Sequence, residues 1–172
     1  MAHKDNAATR FVDSHLDAGR AGKPAFREVD GAQRTLTYGA LALGSGKAAA
    51  AMQAAGLRRE ERVAMLLLDT NDYPQLFWGA LKAGVVAVPL NTLLSASIYD
   101  AILRDSRSSA LFVSAALYDT VAPVLVDNPW LRTVVIVGGD APAGTISLEN
   151  FMGDHAPAKT ADVSSDDVAF WL

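Results

Sequence analysis

Gly44-Ser45-Gly46-Lys47 has the residue types that cradle phosphate, so it is the first candidate for chemistry. A phosphate loop of that kind needs glycine five residues before its Gly-Lys pair and Ser or Thr after the lysine. Those positions hold Leu41 and Ala48, and no buried strand precedes them, so the tetrapeptide reads as helix surface. His3, His15 and His155 have no carboxylate or second histidine at metal-ligand spacing. Asp69 follows an apolar run, the place where ligands bind in open α/β sheets. Thr70-Asn71-Asp72 next to it offers helix-capping chemistry, which is the favoured reading. Gly138-Gly139-Asp140 is followed by Ala141-Pro142-Ala143-Gly144 instead of a helix with free N–H groups, and reads as a surface turn. Asp166-Asp167 reads as a polar lead into a strand. No nucleophile–base pair, metal cluster or phosphate cradle emerges, and no residue is assigned a catalytic, cofactor-binding or metal-binding role.

The elements that would carry such residues are clearer. Residues 6–20 have Ala8, Phe11, Val12, His15 and Leu16 on one side of a short helix ended by Gly19 or Gly22. Ala25–Val29 and Gln33–Tyr38 flank Asp30-Gly31 and read as a β-hairpin. Thr37 can cap an Ala-rich helix from Tyr38 to Ala55, with Leu41, Ala48, Ala51 and Met52 buried and Gly56 as the stop. Leu57–Arg62 reads as solvated surface.

From there the pattern alternates. Val63–Leu68, Val85–Leu90, Ala110–Ser114 and Thr133–Val137 are apolar throughout, as strands covered on both faces are. Helices are expected over Asn71–Ala83, Ser95–Asp105 and Ala115–Val126. Helical crossovers imply a parallel sheet. The fold class is therefore α/β: a doubly wound, mainly parallel sheet flanked by helices, with an N-terminal helix and β-hairpin. Gly138–Ala161 reads as loop with a short helix near Leu148–Met152. Residues 1–61 carry the helix, hairpin and Ala-rich helix, and residues 62–172 the parallel βα part, together one domain portion.

The chain has 172 residues, 51% of them hydrophobic, which suits one domain with a real core. Its net charge of −4 argues against a nucleic-acid surface. No apolar run is long enough for a membrane span, and Met1–Asn6 lacks the apolar core of a secretory signal. A sequence with 0 cysteines has no disulfide, thiolate nucleophile or cysteine-ligated metal. A cytoplasmic location is expected.

Leu81-Lys82-Ala83-Gly84-Val85-Val86-Ala87-Val88-Pro89-Leu90-Asn91 resembles the second core motif of adenylate-forming enzymes, the superfamily of acyl-CoA synthetases and ligases. Leu36-Thr37-Tyr38-Gly39-Ala40-Leu41 resembles their first core motif, at the family's spacing. Physically the second motif is scaffold: Gly84 ends a helix, Val85–Val88 form a buried strand, Pro89 stops ladder pairing and Asn91 turns the chain. Within the family, Asp167–Leu172 looks like the strand before a Ser/Thr/Gly-rich phosphate loop. Phe170-Trp171-Leu172, with Asn91-Thr92-Leu93-Leu94, looks most like benzoate-CoA ligases and related aryl-CoA ligases. Some members carry a basic residue near position 93 that contacts coenzyme A; Leu93 stands there, so that contact is not carried over.

The resemblance implies an incomplete N-terminal subdomain of an ATP-dependent acid–thiol ligase, inactive alone. In the whole enzyme, carboxylate attack on ATP would give an acyl-adenylate and pyrophosphate with Mg²⁺, and coenzyme A would then displace AMP. Partners implied are the remainder of the polypeptide and a small aromatic or aliphatic carboxylate, with self-association through an exposed apolar face. The final residues, Val168–Leu172, are expected to form a buried strand that leads into the missing loop. The alternative is a stand-alone, non-catalytic flavodoxin-like module that binds a small molecule or partner.

Overall fold

The computed structural model describes residues 5–172, so His3 lies outside the described residues. The chain opens with a π-helical turn, Thr9–Asp13, that runs into α1, Ser14–Asp17. Ala8 and Val12 are buried, but Phe11 and Leu16 face outward, so the expected apolar stripe is only half covered. Strands β1 (Pro24–Arg27) and β2 (Thr35–Thr37) form the antiparallel hairpin; β1 starts one residue earlier and ends two sooner than the sequence suggests, and β2 is shorter at both ends. Helix α2 spans Tyr38–Ala54, and the Thr37 hydroxyl accepts the Ala40 N–H at 3.2 Å, as expected of its cap.

Next come β3 (Arg62–Leu66), α3 (Asp72–Ala83), β4 (Val86–Pro89), α4 (Ala96–Asp105) and β5 (Ala110–Ser114). Gly84 ends α3 at φ +75°, a conformation costly for a side chain with a Cβ. Asn91 turns the chain by accepting the Leu93 N–H at 2.9 Å. Two expectations need correction. The segment after β5 is no continuous helix: a 3₁₀ turn (Ala115–Leu117), α5 (Tyr118–Val121) and a second 3₁₀ turn (Ala122–Val124) replace it. Pro123 lacks the N–H that an uninterrupted helix would use. Leu57, expected in a solvated connection, is buried in the core.

β6 (Thr133–Val137) is followed by a short strand the sequence did not announce, β7 (Ile146–Ser147), and by α6 (Leu148–Met152). The five parallel strands lie in the order β4-β3-β5-β6-β7. That is the flavodoxin-like winding, reversing direction between β3 and β5. Alternate residues of each strand serve opposite faces. Val63, Met65 and Phe112 pack under α2, α3 and α6, while Ala64, Leu66, Leu111 and Val113 pack with Tyr99 and Leu103 of α4. Among the described residues, no helix is long and apolar enough to cross a membrane.

Beyond β4 the last residues add one parallel bridge, Phe170 to Ala87. The Trp171 N–H donates to the Ala87 carbonyl at 2.9 Å. The expectation of a buried strand over Val168–Leu172 is thus met only in direction. Phe170 is 44% exposed and Leu172 99%, because among the described residues nothing covers this segment's outer side.

Candidate functional site

Three places in this frame could bind or react: the Gly-Ser-Gly-Lys segment, the carboxyl ends of the strands at the winding reversal, and an apolar groove beside α3.

Gly44, Ser45 and Gly46 lie inside α2 and are buried, which corrects their reading as helix surface. The reason is steric. A Cβ on Gly46 would come within 2.8 Å of Pro157 Cβ, and one on Gly44 would collide with the Gln75 side chain. From the other helix, a Cβ on Gly79 would sit 2.5 Å from Ala48 Cβ. The glycines let two helices and a loop approach closely, and their N–H groups stay within the helix, so the segment offers nothing to a phosphate. Lys82 of α3 reinforces this seam. It is 4% exposed, and its ammonium donates to Asp13 Oδ1 at 2.7 Å and to the Ala42 carbonyl at 3.2 Å.

At the winding reversal an anion would be expected at the start of α3. The protein supplies its own. Glu28, from the hairpin, accepts the Asn71 N–H at 2.8 Å and is held by Arg34 at 2.8 Å. The Arg34 guanidinium first, then the Asn71 N–H, hold the Glu28 carboxyl down at about 2. The Tyr73 N–H donates to the Thr70 carbonyl, and Pro74 has no N–H. The anion position at the Asn71 N–H is therefore already filled by Glu28. Ser114 closes the neighbouring gap, its hydroxyl accepting the Leu68 N–H at 2.9 Å.

The capping expected of Thr70-Asn71-Asp72 is accordingly corrected. Asn71 makes no side-chain cap and donates its amide to the Arg34 carbonyl at 3.1 Å. Asp69 is exposed at the groove's edge. Glu28 and Arg34 were not singled out in the sequence; the available signal was opposite charges flanking a hairpin turn.

The remaining candidates are structural. His15 stacks on Tyr38 with ring centroids 3.7 Å apart, and its Nδ1 accepts from Arg20. Desolvation, then the Arg20 and Lys23 charges, lower its pKa, so it stays neutral. His155 lies in the loop after α6, beside Gly153. Gly138-Gly139-Asp140 is an exposed turn, as expected. Asp167 accepts the Ser164 N–H at 3.0 Å and pairs with Arg59, and those contacts, the N–H foremost, lower its pKa. Among the described residues no group of three His, Asp or Glu could hold a metal ion.

The groove encloses about 570 Å³ and is walled by Phe26, Tyr73, Pro74, Phe77, Phe170 and Leu172. Trp78, Phe77 and Phe170 of its lining form a row with successive ring centroids 5.4 and 5.6 Å apart, and Phe11, outside the lining, lies 6.3 Å from Trp78. Burial, then the Asp69 charge, pushes the Tyr73 phenol up, so it stays protonated. The walls are mostly apolar; of the two carboxylates in the lining, Glu28 is engaged by Arg34 and the Asn71 N–H, and Asp69 stands exposed at the edge.

The chain is similar to proteins of known activity. The family model "AMP-binding enzyme" matches residues 14–172. The 4-hydroxybenzoate–CoA/benzoate–CoA ligase of Rhodopseudomonas palustris is 42% identical over 170 residues, covering 96% of this chain and 30% of that protein. Among solved structures, a benzoate CoA ligase from Burkholderia xenovorans superposes with a TM-score of 0.79 at 35% identity, covering 92% of this chain and 31% of that one. An anthranilate CoA ligase in complex with anthranoyl-AMP superposes with a TM-score of 0.89 at 26% identity, covering 99% and 32%. The chain thus spans about a third of the length of these relatives.

Proposed function

The chain belongs to the AMP-binding enzyme family, and from that premise we propose that it is the N-terminal part of an ATP-dependent aryl-CoA ligase. The whole enzyme would activate a benzoate-like carboxylate as its adenylate and transfer the acyl group to coenzyme A. It would be a cytoplasmic acid–thiol ligase of aromatic degradation, dependent on ATP, Mg²⁺ and coenzyme A. The observation that carries this reading is the likeness, over nearly the whole chain, to a 4-hydroxybenzoate/benzoate–CoA ligase.

Residues 1–61 and 62–172 act in this reading as one scaffold, and none of the 172 positions is catalytic. The self-capped start of α3 and the sealed glycine seam support that division of labour, since both potential phosphate sites are closed. The experiment is carboxylate-dependent ATP–pyrophosphate exchange. The chain alone should give none, and the longer gene product should exchange with benzoate or a hydroxybenzoate. Clear exchange by the 172-residue chain would sink the proposal. The codons after Leu172 give a second check: a Ser/Thr/Gly-rich loop ending in Pro-Lys-Gly is expected.

A further inference from the structure

Asp30-Gly31, at the tip of the hairpin, is a turn that the ligase reading leaves unused. Asp30 is the one aspartate or asparagine in the sequence that glycine follows. That pairing has a chemistry of its own. The nitrogen following an aspartate can attack the side-chain carboxyl and close an imide ring, and glycine has no Cβ to obstruct it. In helices and strands the same nitrogen is held in a hydrogen bond.

Neither restraint operates here. Asp30 and Gly31 are both exposed, and among the described residues the Gly31 N–H has no hydrogen-bond partner. A Cβ on Gly31 would meet nothing within 4 Å, so a ring has room. Gln33, two residues on, is held at φ +49°, a conformation uncommon for glutamine, so the tip carries strain that a longer backbone relieves. Asp13, Asp72, Asp100 and Asp119 lie in helical turns instead, and Asp167 is engaged by Arg59 and the Ser164 N–H.

The tip is also where a change in backbone length has a target. Glu28 and Arg34 close the loop: the Glu28 N–H donates to the Arg34 carbonyl at 3.0 Å, and the Arg34 N–H to Glu28 Oε2 at 3.2 Å. Glu28 Oε1, which takes the Arg34 guanidinium, also accepts the Asn71 N–H. A methylene added between residues 28 and 34 therefore acts on the carboxylate that caps α3.

We propose that Asp30-Gly31 is a site of spontaneous aspartate isomerisation, and that the isoaspartate formed there loosens Glu28 from the start of α3. Gly31 N bonds to Asp30 Cγ, and a carboxyl oxygen leaves as water with the amide proton. Water then adds at the Asp30 α-carbonyl carbon, and the bond from that carbon to Gly31 N breaks. The main chain now runs through Cβ and Cγ, one methylene longer, and the former main-chain carbonyl is a free carboxylate. Water is the only co-reactant, and the inference stands apart from the ligase reading.

The test ages the folded protein at neutral pH and body temperature. Protein L-isoaspartyl methyltransferase with labelled S-adenosylmethionine is the probe, and peptide mapping locates the label. Label should appear at residue 30, within about threefold of the rate in the free peptide of residues 24–37. A rate about tenfold below that of the peptide, or label spread over other aspartates, would overturn the site. Asp30→Glu should carry no label there, and Asp30→Asn, which loses ammonia more readily than the acid loses water, should label faster. Equal rates for Asp30→Asn and the native chain would mean that the turn forbids the ring. Once the modified form predominates, amide exchange at Asn71 should be about tenfold faster, with β5 and β6 unchanged, and aged Asp30→Glu should show no such rise. Unchanged exchange at Asn71 would overturn the loosening of Glu28.

Discussion

The two flanks of α3 are built on opposite principles. Toward α2 the helix presents Gly79, and the α2 backbone comes so close that a Cβ there would meet Ser45 O at 3.1 Å. The single charge on that side, Lys82, is buried with its partners in place. Toward the groove the same helix presents Tyr73, Phe77 and Trp78, large side chains left partly exposed. Where contact is complete the residues are small and every polar group is answered. Where the residues are large and half-covered, the surface is of the kind that association completes.

Substitutions can break this contrast, and the largest effect should fall on the closed flank. Asp13→Ala leaves the Lys82 ammonium buried with only the Ala42 carbonyl, and should cost about 3 kcal/mol in urea unfolding. Lys82→Met, which removes the charge and keeps the volume, should cost clearly less. If the two variants are equal, the penalty is packing and not an orphaned charge. Gly79→Ala should cost about 2 kcal/mol by forcing α2 and α3 apart.

A smaller, pH-dependent effect belongs to Glu28, which joins the hairpin to the start of α3. Its carboxyl titrates near 4.5 when unfolded and about 2 when folded, so its contribution is present above 4.5 and is lost as pH falls toward 2. Glu28→Gln should lower the urea midpoint at neutral pH and flatten its fall between those values. An unchanged acid slope would dismiss Glu28 as the cap. The smallest effect is expected on the open flank. Phe26→Ser should leave stability of the 172-residue chain within about 0.5 kcal/mol, and a larger loss would mean that the groove is already part of the core.

Much of this fold was legible because its signals are local. The apolar runs marking β5 and β6, the hydroxyl of Thr37 and the turn glycines Gly56 and Gly84 each act within a few residues. The Gly-Ser-Gly-Lys segment was misread for the opposite reason. Two glycines in a helix look the same whether the face is wet or pressed against Pro157, Gln75 and a neighbouring helix. The terminal segment has a buried strand's composition, and its direction was right, but cover is a property of neighbours and not of residue type.

The two helix starts show where the boundary falls. The cap of α2 comes from the adjoining residue, Thr37, and sequence alone determined it, along with the order of elements through β5, the parallel sheet and the family resemblance. The cap of α3 comes from Glu28, 43 residues away across a hairpin, and only the folded chain brings that carboxylate to the Asn71 N–H. The same holds for the seam at Gly79 and the groove at Phe77, since each is set by the distance between surfaces that meet only after the chain has closed on itself.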